Sequence, residues 1–175
     1  MVYRWGSKLN VQADTFIIRP VRDDELLHVL EVYRQCEDFL ALTPKPTASM
    51  EIVQEDLALS RQNGGVFWGI YDHAGTMMGI IDVVLSRFEG EREAAFIELV
   101  MIGKLYRQHG LGSAVVKAVE TYIQRDTHVN VILAAVMVNN PAAIRFWERH
   151  DYKIVGEPED EPDGTTVWKL RKPIV

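Results

Sequence analysis

At 175 residues the chain has room for one well-buried core and too little for two ordinary domains, and its 47% apolar and 25% charged content is that of a soluble globular protein. A formal net charge of −6 argues against nucleic acid as the main partner and favours a cationic substrate only weakly. Cys36 is the single cysteine, which excludes a disulfide framework within the chain and a cysteine metal cluster; no apolar run reaches membrane-spanning length and no apolar signal core opens the chain, so a cytoplasmic setting without membrane or metal is expected.

Residues 1–14 are mixed and partly polar and read as an extension, which leaves residues 15–175 as one domain. Residues 15–21 read as the first strand, with Pro20 near its end. Asp23 or Asp24 caps a helix that carries Leu26, Val29, Leu30, Tyr33, Cys36 and Leu40 on one face. Two prolines in residues 43–47 break it, and Ser49 caps a second helix that stops at Asn63-Gly64-Gly65. These helices either cover a sheet face or form a lid over a substrate pocket. Residues 66–71 and 77–85 are strands joined by a hairpin loop over 72–76, and Asp82 interrupts the second. The connection 87–93 carries Glu89, Glu91 and Glu93, a solvated run or an acidic lip that attracts an amine.

Residues 96–102 form an apolar run of strand length broken by one carboxylate, Glu98. Leu111, Val115, Ala118, Val119 and Tyr122 then recur at helical spacing. Between them lies Arg107-Gln108-His109-Gly110-Leu111-Gly112-Ser113. The first amides of a helix have no intrahelical partner and carry a partial positive charge, and glycine lets a phosphate approach that backbone closely. With the Arg107 fork beside it, the turn is a seat for a diphosphate, or else a glycine-rich loop with no ligand. It is not a Walker loop, because no Gly-Lys-Ser/Thr follows, and a dinucleotide fingerprint fits poorly, because position 115 is Val where a third glycine belongs.

A second apolar run spans residues 131–138. Asn140 is a good N-cap and Pro141 a good first helical residue, and Ala143 and Trp147 follow one turn apart. Residues 152–156 return as a strand, 157–164 (EPEDEPDG) read as an acidic loop, and 165–171 close the sheet.

The loop from Arg107 to Gly112 resembles the Arg/Gln-x-x-Gly-x-Gly/Ala signature of the GNAT N-acyltransferases. About thirty residues later, across a helix and a strand, Asn140-Pro-Ala-Ala143-Ile-Arg-Phe146-Trp147-Glu148 resembles that family's second motif, Asn-x-x-Ala-x-x-Phe/Leu-Tyr-Glu. Phe16-Ile-Ile-Arg19-Pro20 before an Asp-capped helix is similar to its opening. The resemblance implies an α/β (α+β) fold: a mixed, mostly antiparallel sheet of about seven strands with helices on both faces. The strands ending near Ile102 and Val138 would splay into an acyl-CoA cleft. Backbone groups of Val100, Met101 and Ile102 would pair with the pantetheine arm as an added strand. Gln108, His109, Gly110, Leu111, Gly112 and Ser113 would hold the pyrophosphate beside Arg107. Asn140 and Phe146 would line the arm, with Trp147 in the same coenzyme-binding set.

The implied reaction is direct transfer of an acyl group, most simply acetyl, from acetyl-CoA to the amine of a small molecule or peptide, with no metal. By resemblance to the histone-acetylating branch, Glu98 is the expected general base, with Asp82 in reserve; burial would raise the Glu98 pKa. The Met101 amide would polarise the thioester carbonyl. Trp147 stands where the family has the tyrosine that protonates the leaving thiolate, and an indole N–H is no acid near neutral pH. That departure keeps a second reading open, an acyl-CoA sensor without turnover. Asp151 stands where glycine usually ends the helix, and Asp tolerates the left-handed conformation needed there. The acceptor pocket would come from residues 24–63, 86–93 and 157–164. A homodimer is left open.

Overall fold

In a computed structural model, which describes residues 11–13, 15–85, 93–126 and 128–174, the alternating apolar segments assemble into one eight-stranded sheet. Its strands are β1 (Val11–Gln12), β2 (Ile17–Pro20), β3 (Gly65–Tyr71), β4 (Met77–Val84), β5 (Ala94–Ile102), β6 (Val131–Met137), β7 (Lys153–Asp160) and β8 (Thr166–Pro173). The helices are α1 (Leu26–Gln35), α2 (Glu37–Leu40), α3 (Met50–Gln62), α4 (Leu111–Asp126) and α5 (Pro141–Arg149). Strand order is β1-β2-β3-β4-β5-β6-β8-β7, and every pairing is antiparallel except β5 with β6. A parallel pair needs a crossover, and α4 supplies it.

The two faces of the sheet bury two clusters. One joins Ile18, Trp68, Ile81, Val83 and Ile97 to Val115, Val119 and Ile123 of α4 and Trp147 of α5. The other joins Tyr71, Ile80 and Met101 to Val29 and Tyr33 of α1 and Ile52, Val53 and Leu57 of α3. The expected mixed sheet with helices on both faces is therefore present.

The local punctuation is that of the sequence, with four differences. Ser49 Oγ accepts from the Ile52 amide at 3.3 Å and Asn140 Oδ1 from the Ala143 amide at 3.0 Å, so both N-caps are in place. Asp151 ends α5 at φ 65°, as its tolerance of that region allows. The first difference is at the start. Val11 and Gln12, expected in the extension, pair with Ile18 and Ile17 as an eighth strand, while residues 1–10 lie outside the described residues. Second, the helix expected to run through Leu40 breaks at Cys36, whose φ of −110° and ψ of 23° end α1 before α2 begins. Third, the acidic run 157–164 is not all loop. β7 continues to Asp160 across a register slip between Val155 and Glu159, at the left-handed Gly156. All eight of its residues are exposed, so a charged side chain costs nothing on this outer strand, and only the backbone needs β8. Fourth, neither Asp23 nor Asp24 caps α1: both lie in a 3-10 turn over Asp23–Glu25, and Glu25 stands at the N-cap without a side-chain cap hydrogen bond. Of the acidic connection only Glu93 is described; Glu89 and Glu91 lie outside the described residues.

Candidate active site

β5 and β6 pair over only four positions, from Ala94↔Val131 to Ile97↔Ala134. Beyond them the strands part, and the β6-facing edge of β5 from Glu98 to Ile102 has no strand partner among the described residues. A cavity of about 1160 Å³ opens in the gap. Its walls are the far halves of β5 and β6, its mouth the start of α4, and its flanks α3, the α2–α3 connection, α5 and β8.

The β5 wall is re-phased by a bulge. Asp82 pairs with Leu99 and Val83 with Ile97, so Glu98 is the extra residue. On either side of it the packing changes phase: Ile97 and then Val100 and Ile102 join the α4 cluster, whereas Leu99 and Met101 join the α1/α3 cluster. Glu98 itself is half-buried at the cavity wall, where Asn63 Nδ2 donates to its Oε1 at 2.7 Å. The backbones of β4 and β5 approach closely at Gly79, where a Cβ would lie 2.5 Å from the Met101 carbonyl oxygen.

The glycine loop opens the helix at the other end of the wall. Gln108 (φ 68°) and Gly110 (φ 78°) both take left-handed backbone, a geometry that turns successive amides toward one concave side. α4 begins directly after Gly110 and runs sixteen residues, so the positive end of its dipole faces the cavity. A Cβ on Gly112 would lie 3.6 Å from both Ile102 and Phe146, so a methyl there would sit in ordinary contact with the two side chains.

Of the residues expected at the site, Glu98, Val100, Met101, Ile102, Arg107, Gln108, Gly110, Leu111, Gly112, Ser113, Asn140, Phe146 and Trp147 all line this cavity. His109 does not: it is exposed, and its Nδ1 lies 2.7 Å from the Arg107 carbonyl oxygen. Arg107 is placed differently from the fork expected for a phosphate. Its Nε donates to the Ile102 carbonyl at 2.7 Å, and its two terminal nitrogens pair with the Asp38 carboxylate. Asp38, held below the usual carboxylate range by that guanidinium, thereby ties α2 to the loop. The Ile102 carbonyl, expected as a pantetheine partner, is thus already an acceptor for Arg107, and for the Cys36 thiol at 3.4 Å.

Asp82, the reserve base, is only 3% exposed and does not line the cavity. It lies beneath Glu98 and accepts from Ser60 Oγ at 2.7 Å. Trp147 is 7% exposed, edge-on to Phe146 and Tyr152 with ring centroids 5.3 and 4.8 Å away.

Several lining residues were not singled out by the sequence, although those of α3 fall in the 24–63 stretch expected to shape the acceptor pocket. Glu55, Asp56 and Leu59 come from α3, and Thr165 and Val167 from the β8 end. Asp56 sits low on the cavity flank with Tyr33 Oη donating to it at 2.5 Å, and burial pushes its carboxyl up. Lys45 of the α2–α3 connection pairs with Glu55. The periodicity of α3 marked which residues are apolar but not which polar ones face a cleft. The pairing of Asp38 with Arg107, 69 residues apart, exists only in the fold.

Among the described residues no helix is long and apolar enough to cross a membrane and no cluster of His, Cys, Asp and Glu is grouped to hold a metal ion. The structure is similar to that of an acetyltransferase from Thermus thermophilus, with a TM-score of 0.76 at 20% identity over 94% of this chain and 99% of that one. It is also similar to a spermidine N-acetyltransferase from Vibrio cholerae, solved in complex with CoA and spermine, with a TM-score of 0.69 at 15% identity over 92% of this chain and 96% of that one. In sequence, N-alpha-acetyltransferase 60 of Danio rerio is 30% identical over 74 residues, 41% of this chain and 31% of that protein, so the match spans under a third of the relative. The model of the Acetyltransferase (GNAT) family matches residues 27–152, most of the chain, and the protein belongs to that family.

Proposed function

We propose that this chain is an N-acetyltransferase that moves an acetyl group from acetyl-CoA directly to the amine of a small molecule or peptide, as a single domain in a cytoplasmic setting. The observation that carries the reading is the parting of β5 and β6, which leaves a strand edge and a glycine-opened helix end in one 1160 Å³ cavity. An unpartnered strand edge can take the amides of a pantetheine arm, and a helix N-terminus favours a diphosphate. Gly112 lines the cavity within contact reach of Ile102 and Phe146, and the lack of a side chain there leaves the helix start clear for a coenzyme passing between the two splayed strands. The diphosphate is then held by the amides from Gln108 to Ser113, while Arg107 stiffens the loop through Asp38. Asn140 and Phe146 flank the arm, and Trp147 packs behind them.

An amine of pKa about 10.4 is neutral in only about 0.04% of molecules at pH 7, a handicap of about 4.6 kcal/mol. Glu98 is the group placed to relieve it. It stands on the cavity wall, oriented by Asn63, and takes the ammonium proton before the nitrogen reaches the thioester carbonyl. The Met101 amide, on the same wall, is the donor proposed for the carbonyl oxygen. Glu55 and Asp56 extend the acidic character of the α3 flank, which suits an acceptor that arrives as a cation. With Trp147 in place of an acid, the thiolate leaves unprotonated and takes its proton from water.

Thiol release from acetyl-CoA, measured across spermidine, free lysine and short peptides with free N-termini, tests the activity. Glu98→Gln then tests the base: kcat should fall by roughly 10²–10⁴ while acetyl-CoA affinity holds. Near-full activity in that variant refutes the assignment.

A further inference from the structure

The bulge that places Glu98 on the cavity wall also places a second carboxyl beneath it. Asp82 pairs with Leu99 across β4 and β5, so it is the cross-strand neighbour of the bulged Glu98. Glu98 acts on the Asp82 carboxyl through both its charge and a side-chain hydrogen bond, each pushing it up. Asp82 forms no ion pair among the described residues, and Ser60 Oγ, in a residue itself 1% exposed, donates to it at 2.7 Å. The pocket around this contact is made by Gly65: a Cβ there would lie 2.7 Å from Ser60 Oγ and 3.2 Å from Asp82 Oδ1. A buried carboxyl with no ion pair among the described residues is costly to ionise.

We propose that Asp82 is a positioning residue for Glu98: the two carboxyls hold one proton between them at rest, and loss of that proton strengthens Glu98 as the acceptor of the amine's proton. The proposal rests on Glu98 acting as the base. In the transfer step one N–H bond of the ammonium breaks and one O–H bond forms on Glu98. The nitrogen keeps its electron pair for the thioester carbonyl, and the proton later leaves Glu98 to water.

Burial, first, and then the Glu98 charge push the Asp82 carboxyl up to about 7, while the Ser60 hydrogen bond pulls it down. The other groups facing the pair are Asp56 of α3, which feels the Glu98 charge, and Tyr33 of α1, bonded to Asp56. Asp56 is a second acid on the same face, so neither group supplies the missing cation. Below about pH 7, then, Asp82 is a neutral donor toward Glu98; above it, its own negative charge stands beneath Glu98 and favours an incoming proton there.

Two measurements on the whole chain test this. The first is an infrared titration of the protonated-carboxyl C=O band without ligand. A band titrating near pH 7 is expected in the wild type. It should be absent in Asp82→Asn, shifted to higher pH in Ser60→Ala, which removes a bond to the charged form, and shifted to lower pH in Glu98→Gln, which removes the like charge. Absence of the band, or indifference to Glu98→Gln, overturns the pair.

The second is kcat against pH with the best acceptor of the panel. Asparagine copies the neutral form of Asp82, so Asp82→Asn should match the wild type below about pH 6 and fall about three- to tenfold behind it by about pH 8.5. A ratio that is flat across pH is what a merely structural role gives and overturns the proposal while Glu98 stands. Retained kcat in Glu98→Gln overturns the base assignment and this proposal with it. Where Asp82→Asn does not fold, Ser60→Ala carries the test, with its rising limb moved to higher pH.

Discussion

Replacing Gly112 by valine should remove coenzyme binding and leave the fold intact. The backbone there is not left-handed, so any residue can take its conformation. A Cβ would meet Ile102 Cγ1 and Phe146 Cε2 at 3.6 Å, which is ordinary contact. Gly112→Ala should therefore be tolerated, and the gain in helix propensity is worth up to about 1 kcal/mol at this first turn. Valine adds two γ-methyl groups about 1.5 Å further out. Turned toward Ile102 and Phe146 they overpack that contact at a cost of about 1–3 kcal/mol. Turned away, they stand in the open cavity beside the start of α4, where the fold is unstrained and the proposed diphosphate seat is blocked. The prediction is a melting temperature within a few degrees of the wild type and a Kd for CoA weaker by at least about 100-fold, or about 2.7 kcal/mol. Calorimetry on the wild type, Gly112→Ala and Gly112→Val, with thermal unfolding of each, reads both quantities. An unchanged Kd in folded Gly112→Val refutes the placement of the coenzyme in this loop.

Trp147→Phe should keep most of kcat if the thiolate leaves without a protein acid, as proposed, and should lose about 1–2 kcal/mol of stability from the contacts with Phe146 and Tyr152; a hundredfold loss of kcat at unchanged KM would give the indole a chemical role. Far from the cleft, Glu25 is held down to about 2, first by hydrogen bonds from Arg19 at 2.6 and 2.9 Å, against the opposing effect of burial. A depressed carboxyl stabilises the fold above its unfolded value near 4.5 and loses that contribution as pH falls through about 2. Urea unfolding of Glu25→Gln should therefore show a deficit above about pH 5 that shrinks as pH approaches 2; a deficit independent of pH would assign the loss to packing with Tyr71 instead.

How much of this was legible in the sequence follows the range of the interactions involved. Periodicity and capping are local, so α3 with Ser49 at its start, α5 with Asn140 and Pro141, and the strands on either side of the glycine loop could be read residue by residue. The two spaced motifs converge in space: thirteen of the fourteen residues named for the site line one cavity, His109 being the exception. The first half of β7 was read as a strand, but its acidic second half was expected as loop because composition reports solvation, and an outer strand satisfies its backbone with β8 while its acids stay in water.

What only the tertiary structure decided depends on contacts between segments distant in the chain. The bulge at Glu98 is a mismatch of register between β4 and β5 and has no signature in either strand alone. Arg107 reads as a phosphate ligand until α2 brings Asp38 to it. Asp82 reads as an interruption in a strand until Ser60 and Gly65 close around it and Glu98 arrives from the next strand. A carboxylate's role is set by what surrounds it, and in this chain its surroundings come from α3, β3, β4 and β5 together: burial removes its water, no ion pair among the described residues replaces it, and the carboxyl is pushed up.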